Sequence, residues 1–160
     1  MSNLFYLSLG SNIGDRERHL RDAIHQLRAH GRVISASSFY ETEPVEVTDQ
    51  AWFLNCAVAL ESNEAPAQLM TEILSIEKAL GRERLQKKGP RTIDIDILLA
   101  GDEIVDTADL TIPHPEMAQR RFVLEPLAEI APEARHPVLK ETIRELLAAL
   151  PPGQTVRNLR

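Results

Sequence analysis

Asp94 and Asp96 stand two apart in "GPRTIDIDILLAG", residues 89–101. Carboxylates at that spacing are candidates for holding a hard cation. From Thr92 to Leu99 the chain alternates like a half-buried strand, with Ile93, Ile95, Ile97 and Leu99 on one face. The other face begins Thr92, Asp94, Asp96 and turns apolar at Leu98. Successive residues of one parity lie about 7 Å apart. Strands disfavour Asp, and neighbouring like charges repel. Just upstream come Arg82, Arg84, Lys87, Lys88 and Arg91, with Gly89 and Pro90 before the strand. Hard oxygen ligands suit Mg²⁺, which is held by one or two carboxylates plus waters and phosphate oxygens. Arg grips phosphate in bidentate fashion. The combination reads as metal-assisted phosphoryl transfer, and two Mg²⁺ ions bridging the pair would relieve its repulsion. A bare D-x-D could equally be a strand end that reaches solvent; the cationic run beside it tilts the balance.

Elements that position these residues follow from period and punctuation. Asn3 to Ser11 reads as a strand, and "GSNIGD" as a turn leading into an amphipathic helix from Arg16 to His30, ended by Gly31. Strands are expected over Arg32 to Glu41 and Trp52 to Glu61, joined by the long loop "TEPVEVTDQ". A helix follows from Ala65 to Leu80, with Pro66 in its first turn and Gly81 at its end. Beyond the Asp-bearing strand, "GDEIVDTADLTIPHP" suggests a turn with short edge strands. Helical pieces are expected at Glu116 to Arg121, Leu124 to Ile130 and Lys140 to Leu150, then a loosely held polar tail over 151–160. The order β-α-β-β-α-β with extra C-terminal helices predicts an α+β, ferredoxin-like core: a mainly antiparallel sheet with helices packed on it.

Bulk properties narrow the function classes. At 160 residues, 43% hydrophobic and 26% charged, one soluble domain spanning 1–160 is expected. A net charge of -6 argues against a general nucleic-acid or membrane-surface binder. The single Cys56 forms no internal disulfide, which suits a reducing cytoplasm. The opening lacks a basic n-region and a long apolar run, so no signal peptide is expected. No Walker loop and no kinase-type glycine loop occur, so any nucleotide site is of another kind.

Several blocks resemble one family. "SLGSNIGD", "SSFYETEPV", "FLNCAVAL", "GRERLQKKGPRTIDIDILL" and "IPHPEMAQRRFVLEPLAEIAPE", in order from Leu7 to about Pro137, look like the 6-hydroxymethyl-7,8-dihydropterin pyrophosphokinases of folate biosynthesis. The resemblance implies transfer of the terminal diphosphate of ATP to the pterin's hydroxymethyl oxygen, releasing AMP, with two Mg²⁺ ions. It implies Asp94 and Asp96 as metal ligands and Arg82 and Arg91 as phosphate clamps. Arg84 would lie on a loop closing over ATP, His114 would bond a phosphate, and Arg120 would order the closed site. Glu77 would sit near the nucleotide, and Ile97 and Thr111 would cradle adenine through main-chain groups. The pterin would stack between Phe53 and Phe122, with Asn55, Thr42 and the Glu43 to Val45 loop reading its polar edge and Gly10 in the pocket floor. Lys88, Pro115 and Asp109 depart from residues common in the family (Trp, Tyr and Arg), which bears on ATP contacts. A monomer is implied, in loose association with dihydropteroate synthase.

Blander readings stand beside these. By periodicity alone Phe53 and Phe122 could be ordinary core, and His114 a turn residue. Lys87 and Lys88 could be a solvated charge run. His19, His25, His30 and His136 lack ligand-like spacing and read as surface or structural, and Cys56 as inert core. Asn55 must find partners if buried. No strong general base is evident; Asp96 or a metal-bound oxygen could take the hydroxyl proton. Two other classes remain open: a non-catalytic ferredoxin-like module binding RNA or a ligand, against which the paired aspartates count, and an interaction subunit derived from an enzyme.

Overall fold

The computed structural model describes residues 2–44, 49–81 and 92–159. Strand β1 (Asn3–Ser11) runs down the middle of the main sheet and is followed by helix α1 (Arg16–Leu27). Asp15 starts that helix, accepting from the Arg18 N–H at 3.2 Å. The expected second strand is broken in two, β2 (Arg32–Ala36) and β3 (Tyr40–Thr42), and both pair with β4 (Phe53–Ser62). The break falls where Ser37 turns its hydroxyl inward to accept from the Ala57 N–H at 2.9 Å. Helix α2 (Pro66–Ala79) has Pro at its first turn, and Gly81 leaves it at φ +84. Then comes β5 (Asp94–Ala100), at the sheet's edge beside β1.

The strand order β5-β1-β4-β3, with β2 also on β4 and every pair antiparallel, is the arrangement expected of a ferredoxin-like core. One face of the sheet carries α1 and α2, packed on Phe5, Leu7, Leu9, Leu54, Cys56, Val58, Ile93, Ile95 and Ile97. The other carries α3 (Arg121–Ile130) and α4 (Ile143–Ala149), packed on Ala57, Leu98 and Leu99. Leu99 therefore lies on the face opposite Ile93, Ile95 and Ile97. The expected alternation fails there because the β1–β5 register slips between Tyr6 and Leu7, leaving Leu98 without a partner on β1.

After β5, a hairpin of β6 (Val105–Asp106) and β7 (Thr111–Ile112) leads to a 3-10 turn, Met117–Gln119, and α3 begins at Arg121. Helix α4 starts later than periodicity suggests, because Thr142 and Glu145 form a capping box before Ile143. The C-terminal stretch is not loose throughout. Val156–Asn158 forms β8, antiparallel to β3, with Val156 opposite Thr42 and Asn158 opposite Tyr40. Its side chains are partly or fully exposed, so it carries no apolar period that would mark it as a strand.

Candidate active site

Residues opposite one another on paired strands share a face, and the register assembles one row from four strands. Asp94 on β5 stands opposite Gly10 on β1, Gly10 opposite Asn55 on β4, and Asn55 opposite Tyr40 on β3. Strand spacing puts Asp94 roughly 10 Å from Asn55, with Gly10 between them. In the neighbouring rows, Asp96 stands opposite Ser8, and Phe53 opposite Thr42. All point to the α3 side of the sheet. Carboxylates thus occupy one end of a shallow floor, and an amide, a hydroxyl and an aromatic ring the other.

The residues at the amide end of this floor hold one another. Asn55 and Thr42 are buried, and the Asn55 amide donates to the Thr42 hydroxyl at 2.5 Å. The Asn55 side chain overhangs Gly10: a Cβ there would lie 2.5 Å from Asn55 Oδ1 and 3.6 Å from the Phe53 ring. Only glycine fits that approach. Asn12, also buried, donates to Gln50 at 2.8 Å and to the Ala51 carbonyl at 3.1 Å, tying the turn after β1 to the chain entering β4. Phe122, in the first turn of α3, is partly buried against the second core and stacked under the Arg120 guanidinium at 5.5 Å. Arg120 itself is paired with Glu116 at 2.9 Å. Tyr40 and Ser38 fasten α3 to the sheet through Glu129, at 2.6 Å from the Tyr40 hydroxyl and 2.9 Å from the Ser38 N–H.

On the carboxylate side, β5 is an edge strand, and its outward main-chain groups are partly taken up. Glu77, buried on α2, accepts from the Ile95 N–H at 2.8 Å. Leu98 O accepts from the His114 N–H at 3.0 Å. Antiparallel alternation then turns the N–H and C=O of Ile97 to the same outer edge. Its side chain is core, 3% exposed, so any ligand contact from Ile97 is a main-chain one. The exposed Thr111 stands on β7, opposite Asp106. His114 Nδ1 accepts from the Glu116 N–H at 3.1 Å, which leaves the proton of a neutral ring on Nε2. The turn contact therefore uses one ring nitrogen and donation from the ring uses the other.

The sheet register brings together Gly10, Thr42, Phe53, Asn55, Asp94 and Asp96, with His114 and Phe122 on elements bordering it. Glu77 faces the backbone of β5 rather than the floor, a long-range contact without a local sequence signal. Arg82, Arg84, Arg91 and Val45 lie outside the described residues. The two-carboxylate oxygen set on a hydrogen-bonded strand fits Mg²⁺. Other groups resolve into structure. Cys56 is wholly buried, and desolvation pushes its thiol up to about 12, as an inert core residue requires. His136 Nδ1 accepts from the N–H groups of Val138 and Leu139. His30 gathers Glu64 and Glu72 at 3.3 and 3.5 Å, a grouping invisible in sequence spacing. A cavity of about 550 Å³ lined by Arg16, Arg21, Phe39 and Leu54 opens on the other face, its Arg16 engaged by Glu41 at 2.7 Å.

Comparison with known proteins bears on the whole chain. The chain is 50% identical over 132 residues to a 2-amino-4-hydroxy-6-hydroxymethyldihydropteridine pyrophosphokinase of Bacillus subtilis, covering 81% of this chain and 79% of that one. It is 48% identical over 150 residues to the protein of the same name from Methylorubrum extorquens, covering 92% and 94%. Among solved structures, a Plasmodium falciparum HPPK-DHPS superposes with a TM-score of 0.77 at 20% identity, which shows the fold; it covers 92% of this chain but only 44% of that one. Residues 6–132 match the 7,8-dihydro-6-hydroxymethylpterin-pyrophosphokinase (HPPK) family, and the chain belongs to it.

Proposed function

We propose that this chain, acting as one domain, transfers the terminal diphosphate of ATP to the hydroxymethyl oxygen of 6-hydroxymethyl-7,8-dihydropterin and releases AMP, a step of folate biosynthesis. The observation that carries the reading is the cross-strand row. It sets a hydrogen-bonded Asn55–Thr42 pair over Gly10 at one end and the Asp94–Asp96 carboxylates at the other. A flat heterocycle rich in hydrogen-bonding groups needs a few fixed polar partners and aromatic faces, supplied here by Asn55, Thr42, Phe53 and Phe122. Its hydroxymethyl arm would then point toward the carboxylates.

Asp94 and Asp96 would hold Mg²⁺, two ions in our reading, which would neutralise triphosphate charge. The hydroxymethyl oxygen attacks the β-phosphorus, the bond from that phosphorus to the α-phosphate bridging oxygen breaks, and the hydroxyl proton passes to Asp96. His114 would donate from Nε2 to a phosphate oxygen, and Arg82 and Arg91 would clamp the chain of phosphates. Arg84 and Arg120 would help close and order the site. Adenine would meet the outer edge of β5 at the Ile97 main chain, near Thr111. Glu77 serves this side by holding β5 in place. Catalysis rests on positioning and charge neutralisation.

We also place the protein in the cytoplasm as a monomer, with at most loose association with a dihydropteroate synthase. Among the described residues no helix is long and apolar enough to cross a membrane. The test is a product assay with ATP, Mg²⁺ and 6-hydroxymethyl-7,8-dihydropterin. AMP formed one-for-one with a diphosphorylated pterin supports the reading. ADP would mean single-phosphoryl transfer, and no turnover with ATP still bound would mean a different acceptor.

A further inference from the structure

Gln154 bridges two walls of the pterin end of the site. Its Nε2 donates to the Glu43 carbonyl at 2.5 Å, while its Oε1 accepts from the Phe122 N–H at 3.2 Å. An amide is the side chain that can donate and accept at once in this way. The next residue adds to the tether. Thr155 N donates to Glu43 Oε1 at 2.6 Å, and Thr155 O accepts from the Glu43 N–H at 3.2 Å. Pairing of β8 with β3 sets Val156 opposite Thr42. Before Gln154, Arg121 reaches the Pro151 carbonyl at 3.2 Å. The approach of residues 151–156 to both walls is thus fixed on either side of the glutamine.

The Phe122 N–H needs the acceptor that Gln154 provides. Helix α3 has no side-chain cap of its own, so the Phe122 N–H is among the donors that the helix leaves without an internal acceptor. Pro126 lies inside the same helix and has no N–H to give to the Phe122 carbonyl. The turn that carries the Phe122 ring is therefore short of internal bonds on both sides of the residue. Glu43 follows Thr42, the buried partner of Asn55, at the end of β3.

We propose that Gln154 is a positioning residue for the pterin. It acts through Phe122 and Glu43 and touches no substrate, fixing the distance between the aromatic wall and the end of β3. The inference rests on the pterin reading of Phe122 and Thr42 given above. Its effect falls on one ligand, because the carboxylate end of the floor lies across two strands and is held by Glu77 and His114 instead.

The test compares wild type with Gln154→Met, which keeps the length of the side chain and removes both hydrogen bonds, and with Gln154→Ala. Dissociation constants for 6-hydroxymethyl-7,8-dihydropterin and for Mg²⁺-ATP are measured separately, alongside kcat and the melting temperature. Both variants should weaken pterin binding about tenfold, with ATP affinity and kcat changed less than about twofold. A wild-type pterin constant in Gln154→Met overturns the proposal, and so does an equal loss for both ligands, which would mark a merely structural tether. A wild-type protein that does not bind the pterin would overturn the functional reading, and this inference with it. Wild-type binding with unaffected variants overturns this inference alone.

Discussion

Gly10 and Asn55 face each other across β1 and β4 with no room for a side chain between them: a Cβ on Gly10 would lie 2.5 Å from Asn55 Oδ1. The glycine is what lets the amide lie over the sheet and still donate to Thr42. In Gly10→Ala the amide must swing away and that buried bond is lost. Pterin affinity should fall at least about tenfold, since a buried hydrogen bond and its desolvated partners are at stake. ATP affinity should change less than about threefold. Titration of both ligands checks this, and an unaltered pterin constant would show that Asn55 does not read the substrate.

Asp94 and Asp96 share a face of β5 and are only partly buried, so removing their charge leaves the core intact. Asp94→Asn and Asp96→Asn should melt within a few degrees of wild type and lose at least about a hundredfold in kcat, which is at least about 2.7 kcal/mol of transition-state stabilisation. The Mg²⁺ concentration needed for half-maximal activity should also rise. Near-wild-type turnover in either variant would remove that carboxylate from the metal site.

Much of this was legible because each rule involved is local. Alternation marked Asn3 to Ser11 and Trp52 to Glu61, and Pro66 and Gly81 bounded α2, whereas α1 ends at Leu27, three residues short of the expected His30 and without Gly31 as its cap. The family's blocks pointed to residues of which the register sets Asp94, Gly10 and Asn55 in one row and Asp96, Phe53 and Thr42 in the rows beside it. What was missed depends on partners distant in sequence. The slip at Leu98 that turns Leu99 to the other face is set by pairing with Tyr6 and Leu7, not by the composition of β5. Strand β8 has a polar, exposed sequence and exists because β3 offers it an open edge. Resemblance singled out Glu77 as lying near the nucleotide, but its burial, at 4% exposed, and its contact with β5 had no signal in the sequence. Its partner is a main-chain N–H, which every residue but proline carries.

That Glu77–Ile95 contact makes its own prediction. The accepted N–H lies between the two aspartates on an edge strand, so losing the acceptor frees the segment that carries both carboxylates. Glu77→Leu leaves the N–H buried without a partner, at a cost of about 1–3 kcal/mol. Glu77→Gln keeps an oxygen to accept it and should be milder. The expected order of both stability and kcat is wild type, then Gln, then Leu, read by denaturant unfolding and steady-state assay. Loss of activity in Glu77→Gln as large as in Glu77→Leu would instead require the carboxylate charge itself.

His136 should give folding stability a pH dependence on the acid side of neutrality. Burial lowers its pKa from the ordinary histidine value of 6.5, and Nδ1 accepts from two main-chain N–H groups, so the folded protein favours the neutral ring. The unfolded chain then binds the proton more readily than the folded one. The contribution of His136 is complete above the unfolded value of about 6.5. It is lost as pH falls from there through the lowered folded value, giving a stability that rises with pH across that window. His136→Asn keeps an oxygen that can accept and removes the titration. Urea unfolding at a series of pH values from about 7 to 5 should therefore show a shallower slope in the variant. Identical slopes in the two proteins would assign the acid sensitivity to other groups.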